Sequence, residues 1–297
     1  MALVVISANV YSSLFAQIFT RAGWEVFFLS PAELTAGEIP PNVHPDLWLH
    51  ARPCLMPEEV AAHPLAAFTQ HTAPILQVLS LAQQSKCSRL IFISSARGVT
   101  KAGQTLPPQT ASLAMAEEII TYAPLHSIIL RPGQIIGAPT DAFSPYNEMQ
   151  SMAATLLGQQ PEFLLAGTDY PTPDGTVVRD LIHLADFGQA IILASEFLRG
   201  QSPPPDHATS GAAHYTHHAF HLGQGIGFSV REMMGAMETV AQKKLPYRCG
   251  PRRPDEISWP ILPGQDAAQV LGWVPRPYSL LALAHTALAA QSTKAII

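Results

Sequence analysis

Short apolar runs set apart by amphipathic stretches limit what this chain can fold into. "LVVI" (Leu3–Ile6), "EVFFL" (Glu25–Leu29) and "RLIFIS" (Arg89–Ser94) are rich in branched or aromatic side chains. Runs this short, without polar alternation, read as parallel strands covered on both faces. "DLWLHA" (Asp46–Ala51) and "HSIILRP" (His126–Pro132) add two more. Helical patterns lie between them: "SLFAQIFTRAG", closed by Gly23, and "PILQVLSLAQQSK", beginning at Pro74. Strand, helix, strand, helix needs right-handed crossovers and predicts an α/β fold with a doubly wound parallel sheet.

After Gly137 the texture changes to loops rich in Pro, Gly and Asp. "LIHLADFGQAIILASEFL" (Leu181–Leu198) predicts a long helix, and "AFHLG" (Ala219–Gly223) a last buried strand. Ser229 is a good N-cap for the amphipathic "SVREMMGAMETVAQKK". The 297 residues are 47% hydrophobic and only 13% charged, enough to bury a large core. Net charge is -5 with scattered Lys and Arg, which argues against nucleic acid as a partner. The apolar runs are too short to span a membrane, and Met1 leads into a strand-like run rather than a signal peptide. Cys54, Cys87 and Cys249 lie far apart, as reduced cytoplasmic thiols do.

Three stretches carry a specific resemblance: "GTDYPTPDGTVVRDLIHLADFGQAI" (Gly167–Ile191), "FHLGQGIGFSVREMMGAMETVAQKKLPY" (Phe220–Tyr247) and "GPRRPDEI" (Gly250–Ile257) leading to "LGW" (Leu271–Trp273). Together they resemble the UDP-galactose (UDP-glucose) 4-epimerases of the extended short-chain dehydrogenase/reductase superfamily. The resemblance implies a Rossmann-like lobe from residues 1–137 and 180–225. It implies a smaller substrate-binding lobe from residues 138–179 and 226–297. It further implies a homodimer built on the helices after His71 and Ser112, with NAD as the family's cofactor.

The family's G-x-x-G-x-x-G loop, which approaches the NAD pyrophosphate, corresponds here to Ile6–Ser12 or Ser7–Ser13. Every glycine is replaced, by residues that include Ser7, Asn9, Ser12 and Ser13. A Cβ blocks close backbone approach to a pyrophosphate and disfavours positive φ. The acid that holds the adenosine ribose has become Ser30, with Glu33 one turn on as a substitute. The family's catalytic Tyr and Lys fall at Gln109 and Leu113, which offer neither a titratable proton nor a charge. The assisting serine is kept as Ser95 in "FISSAR". Tyr122 lies farther along the same predicted helix, and Lys101 has no tyrosine four residues before it. On this reading no cofactor is expected, although NAD follows from the resemblance.

The nucleotide-sugar end departs less. The resemblance assigns Asn147, Arg179 and Arg253 to the sugar diphosphate and Glu256 to the uridine ribose. Two guanidinium forks suit a diphosphate because they make bidentate, charge-assisted hydrogen bonds. The aromatic that covers uracil is replaced by Ala166, and a sugar-contacting Asn by Gln134. Three readings follow: a protein binding a nucleotide-sugar-like anion without redox chemistry, an NAD-dependent epimerase with relocated residues, or a scaffold subunit.

Blander roles stand beside these. Arg179 and Arg253 could pair with Asp174, Asp180 or Asp255. Ser94 and Ser95 could simply satisfy backbone groups at a strand end. The helix from Ser112 to Ile120 could be core packing, with Glu117–Glu118 as one half-buried and one solvated acid. His207, His214, His217, His218 and His221 read as a solvated loop rather than a metal site, since no Cys is near and a Pro-rich stretch precedes them.

Overall fold

The computed structural model describes residues 2–7, 12–52, 55, 57–96, 106–137, 147–201, 215–253, 261 and 264–292. The chain opens with β1 (Leu3–Ser7), α1 (Ser12–Arg21), β2 (Glu25–Phe28), α2 (Pro31–Ala36) and β3 (Leu47–Ala51). Next come α3 (Pro57–Ala62), α4 (Ala66–Gln84), β4 (Arg89–Ile93), α5 (Pro108–Thr121) and β5 (His126–Pro132). β6 (Gln134–Ile136), α6 (Glu148–Leu156), β7 (Phe163–Ala166), β8 (Val178–His183) and α7 (Leu184–Arg199) follow. The last elements are β9 (His217–Leu222), β10 (Gly227–Ser229), α8 (Val230–Ala241), β11 (Tyr247–Gly250), α9 (Gln265–Leu271) and α10 (Leu280–Ser292).

Six strands form one sheet in the order β2-β1-β3-β4-β5-β9. The β1–β2, β1–β3, β3–β4 and β4–β5 pairs are parallel. This is the Rossmann-like α/β fold expected from the alternating runs. The chain steps outward from β1 to β2 and returns past β1 to β3. The carboxyl ends of β1 and β3 therefore make the topological switch point, where open α/β sheets receive ligands.

The chain divides into two compact units. One comprises Met1–Arg131, Gly188–Phe220 and Ala267–Trp273. Its core gathers Trp48, Phe92, Leu113, Ile120 and Ile129 from the sheet and the covering helices. The other comprises Pro132–Phe187, His221–Asp266 and Val274–Ile297. It holds the sheets β10-β8-β6 and β11-β7. Met149, Met152, Phe163, Met233, Met237 and Leu283 form its core.

Local chemistry fixes several of these elements. Leu14, Phe15 and Phe19 give α1 its buried face. Ser229 caps α8 in a capping box with Glu232. Gly223 follows β9 because a Cβ there would lie 2.4 Å from the Asp180 carboxylate. That carboxylate accepts the Gln224 and Gly225 N–H groups at 2.7 and 2.9 Å.

Three expectations change. β2 is an edge strand rather than a buried one, and Phe28 is exposed. The helix expected from Pro74 already begins at Ala66, because Ala67, His71 and Thr72 extend its buried face and Pro74 is accommodated inside it. The helix expected from Leu181 starts at Leu184. Leu181 and Ile182 instead pair with Gln134 and Ile135 of β6.

Candidate functional site

The first unit presents its polar residues at the strand tips. Ser7 ends β1 and is buried, while Ser12 and Ser13 open α1. Asn9 lies outside the described residues, as do Cys54 and Lys101. At the end of β2, Ser30 and Glu33 are engaged with each other. The Ser30 N–H donates to Glu33 Oε2 at 2.8 Å, and the Glu33 N–H donates to Ser30 Oγ at 3.2 Å. Together they cap α2. The two hydrogen bonds from Ser30 hold the Glu33 carboxyl below its ordinary pKa.

His50 and Arg52 stand at the tip of β3. His50 is fully buried and stacks on Phe92 with ring centroids 5.9 Å apart. Its desolvation pushes the imidazole down to about 3. Burial also lowers the Arg52 guanidinium, and its Nε has no hydrogen-bond partner among the described residues. The sequence reading missed Arg52, whose signal was a charged residue directly after an apolar strand.

The two positions assigned to the family's Tyr and Lys are absorbed by the fold. Leu55 N–H donates to Gln109 Oε1 at 3.0 Å, and Gln109 Nε2 donates to the Leu55 carbonyl at 2.9 Å. Leu113 lies in the apolar core. Tyr122 caps the end of α5, 79% exposed, with its hydroxyl donating to Glu118.

At the tip of β4, Ser95 is half-buried, and its neighbour Ser94 donates to Glu117 Oε1 at 2.5 Å. Glu117 also accepts from Arg131 Nε at 3.0 and 3.1 Å, and an Arg131 Nη2 contact completes the fork. Glu117 is thus a buried, doubly held acid rather than a half-buried one, while Glu118 is exposed as expected.

The second unit gathers the diphosphate candidates. Asn147 is the N-cap of α6. Its Oδ1 accepts from Gln150 N–H at 3.1 Å and from Gln134 Nε2 at 2.8 Å, and its Nδ2 donates to the Ile135 carbonyl. Arg179 projects from β8 and is buried. Arg253 follows β11, which pairs in parallel with β7 so that Gly250 sits beside Ala166. Arg252 anchors this segment, with its guanidinium 4.6 Å from the Tyr170 ring centroid and 2.7 Å from Asp169.

Arg179 and Arg253 converge on Glu148, the first residue of α6. Arg179 Nη2 lies 3.0 Å, and Arg253 Nη1 3.5 Å, from the same oxygen, Oε1. Glu148 was not singled out from the sequence, although it directly follows Asn147. Glu256 and Asp255 lie outside the described residues.

The histidine stretch divides. His207 and His214 lie outside the described residues. His217, His218 and His221 belong to β9 rather than to a solvated loop. His217 pairs with Ser127 Oγ at 2.8 Å, and His218 stacks on Phe220. Among the described residues no three metal-ligating side chains cluster, and no helix is long and apolar enough to cross a membrane.

Comparison with known proteins agrees with this architecture. The profile described as NAD dependent epimerase/dehydratase family matches residues 35–206. A UDP-glucose 4-epimerase of Azospirillum brasilense is 28% identical over 264 residues, spanning 82% of this chain and 72% of that protein. One from Dictyostelium discoideum is 29% identical over 235 residues, 71% of this chain and 64% of that protein. The UDP-glucose 4-epimerase of Bifidobacterium longum, solved with NAD+ and UDP, superposes with a TM-score of 0.81 at 20% identity over 99% of both chains. That of Stenotrophomonas maltophila, with NAD and formylated UDP-arabinopyranose, gives 0.79 at 23% identity over 100% of this chain and 99% of that one. Their likeness to this chain is one of fold.

Proposed function

The chain belongs to the NAD dependent epimerase/dehydratase family, and from that premise we propose that it binds a nucleotide-sugar-like anion without NAD-dependent epimerisation. The observation that carries this reading is the state of Gln109 and Leu113. One is tied by both amide atoms to the Leu55 backbone, and the other is buried in the core. Neither is available as an acid, a base or a cation where the family's chemistry needs them. At the cofactor end, the engagement of Ser30 and Glu33 with each other in capping α2 supports the same reading.

Arg179 and Arg253 supply the ligand side of the proposal. Two guanidinium groups directed to one point form a site for an anion with several oxygens, such as a diphosphate. Glu256 is proposed for the ribose. Ala166 leaves the base without an aromatic cover, so discrimination among nucleosides is expected to be weak. A homodimer through α4 and α5 is also proposed. It is supported by the exposed Leu76 and Met115 on those helices.

An active epimerase with relocated residues is the second reading. It is favoured by Ser95, half-buried beside the Ser94–Glu117–Arg131 network. Mass spectrometry of small molecules released on denaturing the purified protein separates the readings. A nucleotide-sugar without NAD supports binding alone. Stoichiometric NAD overturns it in favour of the active enzyme, and an empty protein that also takes up no nucleotide leaves a scaffold.

A further inference from the structure

Glu148 is poorly explained as a structural acid. It is buried, with 4% of its side chain exposed, yet only Oε1 is engaged by the two arginines. Oε2 is also buried and has no hydrogen-bond partner among the described residues. A buried carboxylate is stabilised only when its remaining lone pairs are satisfied, so this ion pair uses half of what it has desolvated. The arginine donors, in contrast, are held from independent elements. Arg179 comes from the middle sheet strand β8, and Arg253 from the segment that Arg252 fixes on Asp169 and Tyr170. The donors are thus placed by the fold, and the carboxylate meets both of them through one oxygen.

We propose that Glu148 is an internal stand-in for the anionic ligand and sets the affinity of the Arg179–Arg253 site by competing for it. The proposal rests on the anion-binding reading above. A pyrophosphate group offers more oxygens than one carboxylate, so it can engage both guanidinium groups at once where Glu148 brings them to a single atom. Binding then requires the anion to displace Glu148. The measured affinity is the intrinsic one reduced by the fraction of chains in which the arginines are released. Asn147 adds little to the site in this state, because both ends of its amide are committed to α6 and β6.

The test uses the full chain with inorganic pyrophosphate and with UDP, followed by isothermal titration. Glu148→Gln keeps the shape and one acceptor but removes the charge. Glu148→Asp keeps the charge. The expected result is a gain of about tenfold or more for Glu148→Gln, which is about 1.4 kcal/mol, and a change within about threefold for Glu148→Asp. Without ligand the amide variant should melt below the wild type, and saturating pyrophosphate should close that gap. A Glu148→Gln chain that binds pyrophosphate no more tightly than the wild type overturns the stand-in role and leaves the anion-binding reading in place. Absence of binding in all three chains overturns both. A Glu148→Gln chain that stays unfolded even with millimolar pyrophosphate also overturns the proposal, because the anion is meant to replace the carboxylate.

Discussion

The residues that the resemblance assigns to cofactor and chemistry in the first unit, and the arginine pair it assigns to the ligand in the second, meet opposite structural fates. In the first unit, the residues assigned to those positions are engaged by the fold itself. Gln109 clamps Leu55, Leu113 fills core, and Ser30 with Glu33 closes a helix end. At the arginine pair the charges are kept, but they are given the internal partner Glu148. Structural reuse removes a reactive group from chemistry altogether. An internal partner only sets a threshold that a better ligand can pass.

The largest expected effect lies at the first of these regions. UDP-glucose/UDP-galactose interconversion should stay at background, since a positioned acid–base group is worth about 10²–10⁴ in rate and Gln109 supplies none. Introducing Gln109→Tyr with Leu113→Lys should not restore turnover, because the phosphate-facing loop and the ribose position are unchanged. Turnover that survives Gln109→Ala but is abolished by Ser95→Ala would break the comparison, placing working chemistry at the tip of β4. Titration with NAD is a parallel check, and a low-micromolar dissociation constant would contradict the reading.

The two arginines should separate structural from ligand-directed charge. Arg179 is buried and 3.0 Å from Glu148, so Arg179→Ala leaves the buried carboxylate with only the more distant Arg253. That costs about 2–3 kcal/mol, or roughly 4–12 °C in Tm. Arg253 is more open and 3.5 Å away, so Arg253→Ala should cost only about 1 kcal/mol in the free protein. Its effect belongs to the ligand. UDP at about 100 times its Kd adds roughly 2.7 kcal/mol, and losing one charge-assisted contact removes about 1.5–3 kcal/mol of affinity. An undiminished UDP shift in Arg253→Ala would move the anion elsewhere.

His50 sharpens the picture of the strand tips as structural. Burial pushes its pKa from 6.5 to about 3, so the folded chain resists a proton that the unfolded chain accepts. The stability this histidine contributes is complete above about pH 6.5 and falls as pH drops toward 3. The loss is up to about 1.4 kcal/mol per pH unit. Denaturant melts at pH 7, 6, 5 and 4 should give a shallower decline for His50→Phe than for the wild type. Equal slopes would mean that His50 takes up its proton without disrupting the fold.

Much of this architecture was legible in the sequence. Buried parallel strands write themselves as continuous apolar runs, so β1, β3, β4 and β5 were found within a residue or two. The edge character of β2 was not, since pairing partners are set by topology rather than by local pattern. Arg179 and Arg253 were singled out because they sit in long, specific motifs, and the structure brings both to Glu148. Glu148 was hidden because nothing in "NEMQ" says that two arginines, far away in the chain, close on it. Glu117 was misjudged for the same reason. A Glu-Glu pair on a helix reads as one half-buried and one solvated acid until Arg131 and Ser94 are brought beside Glu117.

The smallest expected effect returns to the end of β2. If Ser30 and Glu33 serve only to close α2, Ser30→Ala should lower stability by about 1 kcal/mol, the usual worth of an N-cap side chain. Glu33→Gln keeps a side-chain acceptor for the Ser30 N–H and should change stability less. Neither should alter a titration with NAD. If Glu33 instead holds an adenosine ribose, the two variants diverge in titration rather than in melting. Glu33→Gln would then weaken NAD binding, because the carboxylate accepts from both ribose hydroxyls and the amide oxygen is a poorer acceptor. Ser30→Ala would free the carboxylate and leave NAD binding intact or stronger. A capping residue and a ribose ligand thus give opposite rank orders for the same two substitutions.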